Sequence, residues 1–141
     1  MNEFEKCLGI VFGAEGGYVN DPVDRGGPTN MGITAGTLKT AFERGLVGHH
    51  NVKILTRGEA AKIYEVLYWG PSKASQMPWP LDLLHFDAAV HLGVGGAGRV
   101  LQSALNRILG DGAVTVDGSV GPKTLAALKP CLTKPENVRA V

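Results

Sequence analysis

The sequence predicts a mainly α-helical single domain (1–141) with a small irregular β-hairpin or loop after the first helix. Apolar residues recur at helical spacing in several segments, which indicates amphipathic helices. Residues 18–33 are rich in Gly, Pro, Asn and Asp, which are typical of turns. A chain of 141 residues without an internal repeat or low-complexity linker suits one hydrophobic core.

Composition excludes several classes of function. Hydrophobic residues make up 44% and charged residues 19%, as in an ordinary soluble globular protein. The formal net charge of +1 provides no basic field for nucleic acid or an anionic membrane. Since no segment has the length of a transmembrane span, we expect no nucleic-acid partner and no membrane insertion. We also expect the chain to act as a monomer.

The first helix is predicted over residues 3–15. Its charged residues lie away from one apolar face, which gathers Phe4, Cys7, Leu8, Val11 and Phe12. Cys7 should therefore be a buried thiol. Glu15 follows Phe4 by about three helical turns and shares the apolar face. Gly16 and Gly17 then end the helix.

Capping and breaking residues predict the later elements. Thr34 can cap a second helix, and Thr56-Arg57-Gly58-Glu59 is a capping-box pattern that opens a third, ending near Trp69. A Pro-rich turn at 77–80 precedes a fourth helix over 82–92. The next helix, 100–108, should approach its neighbours closely through Gly93, Gly95, Gly96 and Gly98. A Gly-rich turn region over 111–123 then leads to a short helix over 124–128 and another helix start at 133–136.

Glu15 is the candidate general acid. Glycoside hydrolysis needs a carboxylic acid that stays protonated near neutral pH. An apolar surrounding and a helix C-terminus both disfavour the charged carboxylate, and the position of Glu15 combines the two. The alternative is an ordinary helix-terminal glutamate turned to solvent.

The turn-rich segment offers partners for this acid. If the segment folds back over the helix end, it brings Asp24, Thr29 and Asn30 near Glu15. Asp24 would then stabilise positive charge on the sugar or orient a water, and Thr29 or Asn30 would hold that water. In the alternative interpretation, Asp24 and Asp21 are turn formers that bind their own backbone.

Residues 15–34 contain a dense motif. Glu15-Gly16-Gly17-Tyr18-Val19-Asn20-Asp21-Pro22, with Asp24, Gly26-Gly27 and Thr29-Asn30-Met31-Gly32-Ile33-Thr34, resembles the signature of glycoside hydrolase family 108. Looser similarity continues over 59–69, 86–93, 101–102 and 117–124. The resemblance implies a lysozyme-like fold, the activity of an N-acetylmuramidase or phage endolysin, and catalysis by Glu15. It also implies a catalytic part over 1–92 and a C-terminal peptidoglycan-associated part over 93–141, and some family members are named secretion activators.

Two positions depart from the related patterns. Asn30, or a shifted Thr29, stands where phage-type lysozymes have a threonine, which affects the expected water-holding role but not the acid. His91 stands where the family more often has Asn.

Further residues are predicted to contact substrate: Tyr18, Asn20, Trp69, Asp87 and His91. Trp69 either stacks on a sugar ring or belongs to the core. Asp87 and His91 lie one helical turn apart. They form either a cleft-floor pair that contacts an N-acetyl group or a buried hydrogen bond that braces the core.

No cofactor or metal ion is predicted. His49-His50 lies in a loop with no matching acid or cysteine. The Asp111-Gly112 and Asp117-Gly118 pairs lack the alternating acidic ligands of a calcium loop.

The predicted reaction is hydrolysis of the β-1,4 bond between N-acetylmuramic acid and N-acetylglucosamine in peptidoglycan glycan strands. A lytic transglycosylase, which needs the glutamate but no held water, is one alternative, and a non-catalytic wall-binding or secretion-accessory protein is the other. The first residues are net acidic and the following apolar run is short, so we expect synthesis in the cytoplasm without an export signal. A holin-type pore or a secretion system would then release the protein to the cell wall.

Overall fold

The computed structural model describes residues 2–15, 18 and 28–132, with the side chains of Ala14 and Glu15 outside that description. It confirms a mainly α-helical fold with a two-stranded antiparallel hairpin after the first helix. The chain divides into two compact units, Met1–Leu67 and Tyr68–Val141. None of the described helices is both long and apolar enough to cross a membrane.

The described residues of the first unit form three helices, a hairpin and a 3-10 turn: α1 (Glu3–Glu15), β1 (Thr29–Asn30), β2 (Ile33–Thr34), α2 (Ala35–Glu43), the 3-10 turn (Val52–Ile54) and α3 (Arg57–Tyr64). Thr34 caps α2, because its side chain accepts a hydrogen bond from the backbone of Thr37. Thr56 and Glu59 form a reciprocal capping box at the start of α3. Both predicted helix starts are confirmed.

A π-helical segment (Glu65–Trp69) continues the chain from α3 into the second unit. That unit contains α4, which is one turn (Gly70–Ser72), a 3-10 turn (Ala74–Gln76), α5 (Leu81–Leu109) and α6 (Pro122–Cys131). Gly93 has non-helical angles of φ 80 and ψ 161, so α5 consists of two helical stretches, as predicted. α6 is longer than the helix predicted over 124–128, because Pro122 suits a first helical turn. The helix start predicted at 133–136 lies outside the described residues.

The loop between α5 and α6 is tied to α5 by two amide side chains. Asn106 accepts a hydrogen bond from Val114 N at 2.9 Å and donates one to Val114 O at 3.1 Å. Gln102 is buried, accepts from the backbone nitrogens of Asp117 and Gly118, and donates to Asp117 Oδ1. The loop held by these bonds contributes Val114 and Val120 to a core of buried apolar side chains. The other members of this core are Met77, Leu81, Leu101, Leu105, Leu128 and Cys131.

His85 is a buried titratable group in the second unit. Its side chain is 4% exposed, and its Nε2 lies 3.1 Å from the carbonyl oxygen of Ser72. Burial lowers the pKa of His85 below its ordinary value of 6.5, and the hydrogen bond to Ser72 opposes this shift only in part. The folded unit therefore keeps His85 neutral at a pH where the unfolded chain protonates it.

We expect the free energy of unfolding to decrease as the pH falls below about 6.5, because only the unfolded state then binds a proton at His85. The slope from this group should not exceed about 1.4 kcal/mol per pH unit. Thermal unfolding of the wild type and His85→Gln near neutral and mildly acidic pH checks this, since glutamine keeps a donor for Ser72 but does not titrate. The wild type should lose more stability on acidification, and parallel curves would contradict the expectation.

Candidate active site

Glu15 is the last residue of α1. The apolar face predicted for this helix is confirmed by five buried residues, Phe4, Cys7, Leu8, Val11 and Phe12, whereas Glu3, Glu5 and Lys6 are exposed. Glu15 follows Val11 by four residues and Phe12 by three, so its helix position belongs to the buried face. Cys7 is a buried free cysteine, as predicted.

The hairpin separates the two residues predicted to hold a water. Thr29 pairs with Thr34, and Asn30 pairs with Ile33. Successive side chains in a strand point to opposite faces, so buried Asn30 and Ile33 share one face and half-buried Thr29 lies on the other. Thr29 is therefore on the less buried face of the hairpin, and the role of either residue in holding a water stays a prediction. Asn20 and Asp24 lie outside the described residues, and their roles stay predictions.

The 3-10 turn at 52–54 contacts two predicted site residues. Asn30 Nδ2 donates a buried hydrogen bond to Val52 O at 3.0 Å. Tyr18 is 41% exposed, and Lys53 Nζ lies 6.0 Å from the centre of its ring, at the limit of a cation–π contact. The role of this turn could not be predicted from the sequence, because the contacting residues are far apart along the chain.

Tyr64 connects α1 to the hairpin. Its hydroxyl donates a hydrogen bond to Met31 O at 2.6 Å. Its ring packs edge-on against Phe12, with 5.5 Å between ring centres and 68° between ring planes. The guanidinium carbon of Arg57 lies 4.7 Å from the centre of the same Phe12 ring. Phe12 precedes Glu15 by less than one helical turn.

A histidine–glutamate pair lies at the start of α3. His49 Nε2 is 3.1 Å from Glu59 Oε1, so the expectation that His49 has no matching acid is wrong. Glu59 Oε1 also accepts a hydrogen bond from Thr56 N at 2.9 Å. This backbone bond, and after it the bond from His49, lowers the pKa of Glu59. The Glu59 carboxylate therefore both caps α3 and contacts His49.

Three predicted substrate contacts lie in the second unit. Trp69 is buried and packs edge-on against Phe86 with 5.3 Å between ring centres, which favours its core alternative. Asp87 and His91 are each about half exposed, with His91 Nδ1 3.4 Å from Asp87 Oδ1 and 2.8 Å from Asp87 O. The pair lies at the surface, so the alternative of a buried bracing bond is wrong. Its contact with substrate stays a prediction.

Known proteins show where the chain belongs. The profile of Glycosyl hydrolase 108 matches residues 8–93, which include Glu15, the hairpin and α3. A solved structure, "Structure of Brucella abortus SagA", is similar with a TM-score of 0.78 and 38% sequence identity, covering 96% of this chain and 72% of the SagA chain. No curated protein matches the sequence. On the profile match and the similarity to SagA, this chain is a member of glycoside hydrolase family 108.

Proposed function

We propose that the chain hydrolyses the β-1,4 bond between N-acetylmuramic acid and N-acetylglucosamine in peptidoglycan, with Glu15 as the general acid. Family membership supports glycoside hydrolysis in general. The observation that carries the finer proposal is the position of Glu15 at the end of the buried face of α1. A carboxyl group in an apolar surrounding keeps its proton closer to neutral pH, as a general acid must.

In the proposed reaction, Glu15 donates its proton to the glycosidic oxygen as the bond to the muramic acid breaks. Positive charge then develops on the sugar ring. Asp24 is proposed to stabilise this charge or to help orient a water. Thr29 is proposed to hold the water that attacks the anomeric carbon, because the hairpin register turns it away from the buried face. The attacking water gives up its proton to a carboxylate, which is Asp24 in an inverting course and the deprotonated Glu15 in a retaining one.

The remaining proposed contacts are with the glycan strand and the cell wall. Tyr18 offers an exposed aromatic face, and Asp87 with His91 offers polar groups at the surface. A cavity of about 610 Å³ beside Thr115 and Ser119 is the proposed wall-contacting feature of the C-terminal part. The proposed place of action is the cell wall, reached through a holin-type pore or a secretion system.

Analysis of the products released from purified peptidoglycan tests this function. Hydrolysis leaves reducing N-acetylmuramic acid ends, whereas a lytic transglycosylase leaves anhydro ends that borohydride does not reduce. We expect reducing ends from the wild type and muropeptide release at least about 10²-fold slower from Glu15→Gln. Anhydro ends alone would establish the transglycosylase, and wall binding without soluble products would indicate an accessory protein.

Thr29→Val should slow hydrolysis by up to about 10²-fold, because the attacking water loses the hydroxyl that orients it. The fraction of anhydro ends should rise, since departure of the leaving group does not need that water. Asn30→Ala is the control. It should lower the melting temperature, because the bond to Val52 is lost, but it should not raise the anhydro fraction. An unchanged rate and product ratio in Thr29→Val would remove Thr29 from the mechanism.

A further inference from the structure

We propose that the hydroxyl of Tyr64 is a positioning group for the reaction at Glu15, an inference that rests on the function proposed above. By holding the carbonyl of Met31, it sets the position of the β1–β2 hairpin relative to the last turn of α1. These two segments carry the residues proposed to donate the proton and to orient the water. Tyr64 itself is not proposed to touch the substrate.

The hydrogen bond from Tyr64 is short, and its donor is fully buried. Its donor and acceptor oxygens are 2.6 Å apart, and the tyrosine has 0% exposure. Water has little access to replace a lost partner at such a site, so separating the two groups is unfavourable. The bond joins residues 33 positions apart, which means that local turn geometry alone cannot enforce it.

The acceptor residue, Met31, lies in the turn between β1 and β2. Met31 and Gly32 have φ values of 52 and 79, as in a type I′ turn. A positive φ is unfavourable for a residue that carries a side chain, and Met31 is such a residue. Each strand has only two residues, so strand pairing alone stabilises the hairpin weakly. The hydroxyl of Tyr64 therefore anchors the strained residue of a short hairpin.

The ring of the same residue contacts the other segment. Tyr64 packs edge-on against Phe12, in the same helical turn as Glu15. Arg57, at the start of α3, covers the Phe12 ring as well, so the first and last residues of α3 both contact it. A π-helical segment begins directly after Tyr64, and such segments are frequent at functional sites. One side chain thus contacts the chain both before and after residues 16–27.

Tyr64→Phe tests the proposal, because it keeps the ring and deletes only the hydroxyl. On soluble peptidoglycan fragments we expect kcat to fall about ten- to hundredfold, since small displacements of reacting groups slow a reaction by such factors. KM should change by no more than about twofold, because the substrate contacts remain. The amides of residues 29–34 should exchange with deuterium at least about tenfold faster, because the hairpin opens more readily.

Thr40→Val is the matched control for Tyr64→Phe. It also deletes a hydroxyl that donates to a backbone carbonyl, from Thr40 Oγ1 to Gly36 O at 3.2 Å, but within α2. We expect it to leave kcat and hairpin exchange unchanged. An unchanged kcat in Tyr64→Phe, unchanged hairpin exchange, or an equal loss of kcat in Thr40→Val would overturn the positioning role.

The failure of the proposed function has a different signature. In that case the wild type and Glu15→Gln release equal amounts of muropeptide, and the catalytic role of Tyr64 fails with it. Hairpin exchange requires no turnover, so it still shows whether the Tyr64 hydroxyl anchors Met31. A loss of kcat confined to Tyr64→Phe, with Glu15→Gln inactive, supports both proposals.

Discussion

Glu15→Gln should lower the rate of muropeptide release from purified peptidoglycan by about 10²- to 10⁴-fold, the usual contribution of a general acid. Glutamine has nearly the same shape as glutamate but no acidic proton to give to the glycosidic oxygen. The change also removes a carboxylate from the C-terminal end of α1, where negative charge is unfavourable. Thermal stability should therefore stay the same or rise slightly, which separates loss of chemistry from loss of fold.

Glu5→Gln is the matched control for this variant. Glu5 lies on the same helix, is exposed, and sits away from the buried face. Its substitution makes the same glutamate-to-glutamine change at an exposed position and should leave activity unchanged. Turbidity clearing, soluble reducing ends and melting curves should be measured on both variants. Clearing by Glu15→Gln at the wild-type rate would remove Glu15 from the proposed chemistry.

Local signals predicted most of the helical structure. α1 was predicted with its observed bounds, and the caps at Thr34 and Thr56 mark the observed starts of α2 and α3. These predictions succeed because an apolar face and a cap depend on residues within one or two helical turns. The change to a π-helix at Glu65 was not predicted, since the helical spacing of apolar residues continues through it.

The contacts that position the candidate site could not be predicted in the same way. Asn30 binds Val52 across 22 positions, and Tyr64 binds Met31 across 33. An apolar pattern shows which face of a helix is buried but not what covers it. Thr29 and Asn30 were equivalent candidates in sequence, because only the strand register shows that they lie on opposite faces.

Gly98→Ala should lower the free energy of unfolding by about 2–4 kcal/mol, at the upper end of what overpacking produces. Gly98 is buried in the second helical stretch of α5. A Cβ at this position would lie 2.3 Å from the carbonyl oxygen of Gly118 and 2.8 Å from its carbonyl carbon. Helix propensity favours alanine over glycine by about 1 kcal/mol. We expect the steric clash to cost more than this gain, so the substitution should destabilise the fold.

The Gly118 backbone cannot easily move away from the added methyl group. Its φ of +81 is one that residues with side chains rarely adopt, and its nitrogen donates to Gln102 Oε1 at 2.8 Å. A Cβ on Gly118 would itself lie 2.8 Å from Gly95 O. The loop backbone at Gly118 therefore lies close to α5 at both Gly95 and Gly98. The predicted close approach through the glycine cluster is therefore made to this loop, which Gln102 fastens to the same helix.

Gly95→Ala separates the clash from the general effect of replacing a glycine in α5. Its Cβ would meet only the flexible end of Arg99, at an ordinary 3.5 Å. Melting curves should show a fall of about 8–15 °C for Gly98→Ala and no fall for Gly95→Ala. A wild-type melting temperature for Gly98→Ala would contradict this prediction. The loop would then have to release Gly118 from Gln102 without loss of stability, although the hydrogen bond between them is buried.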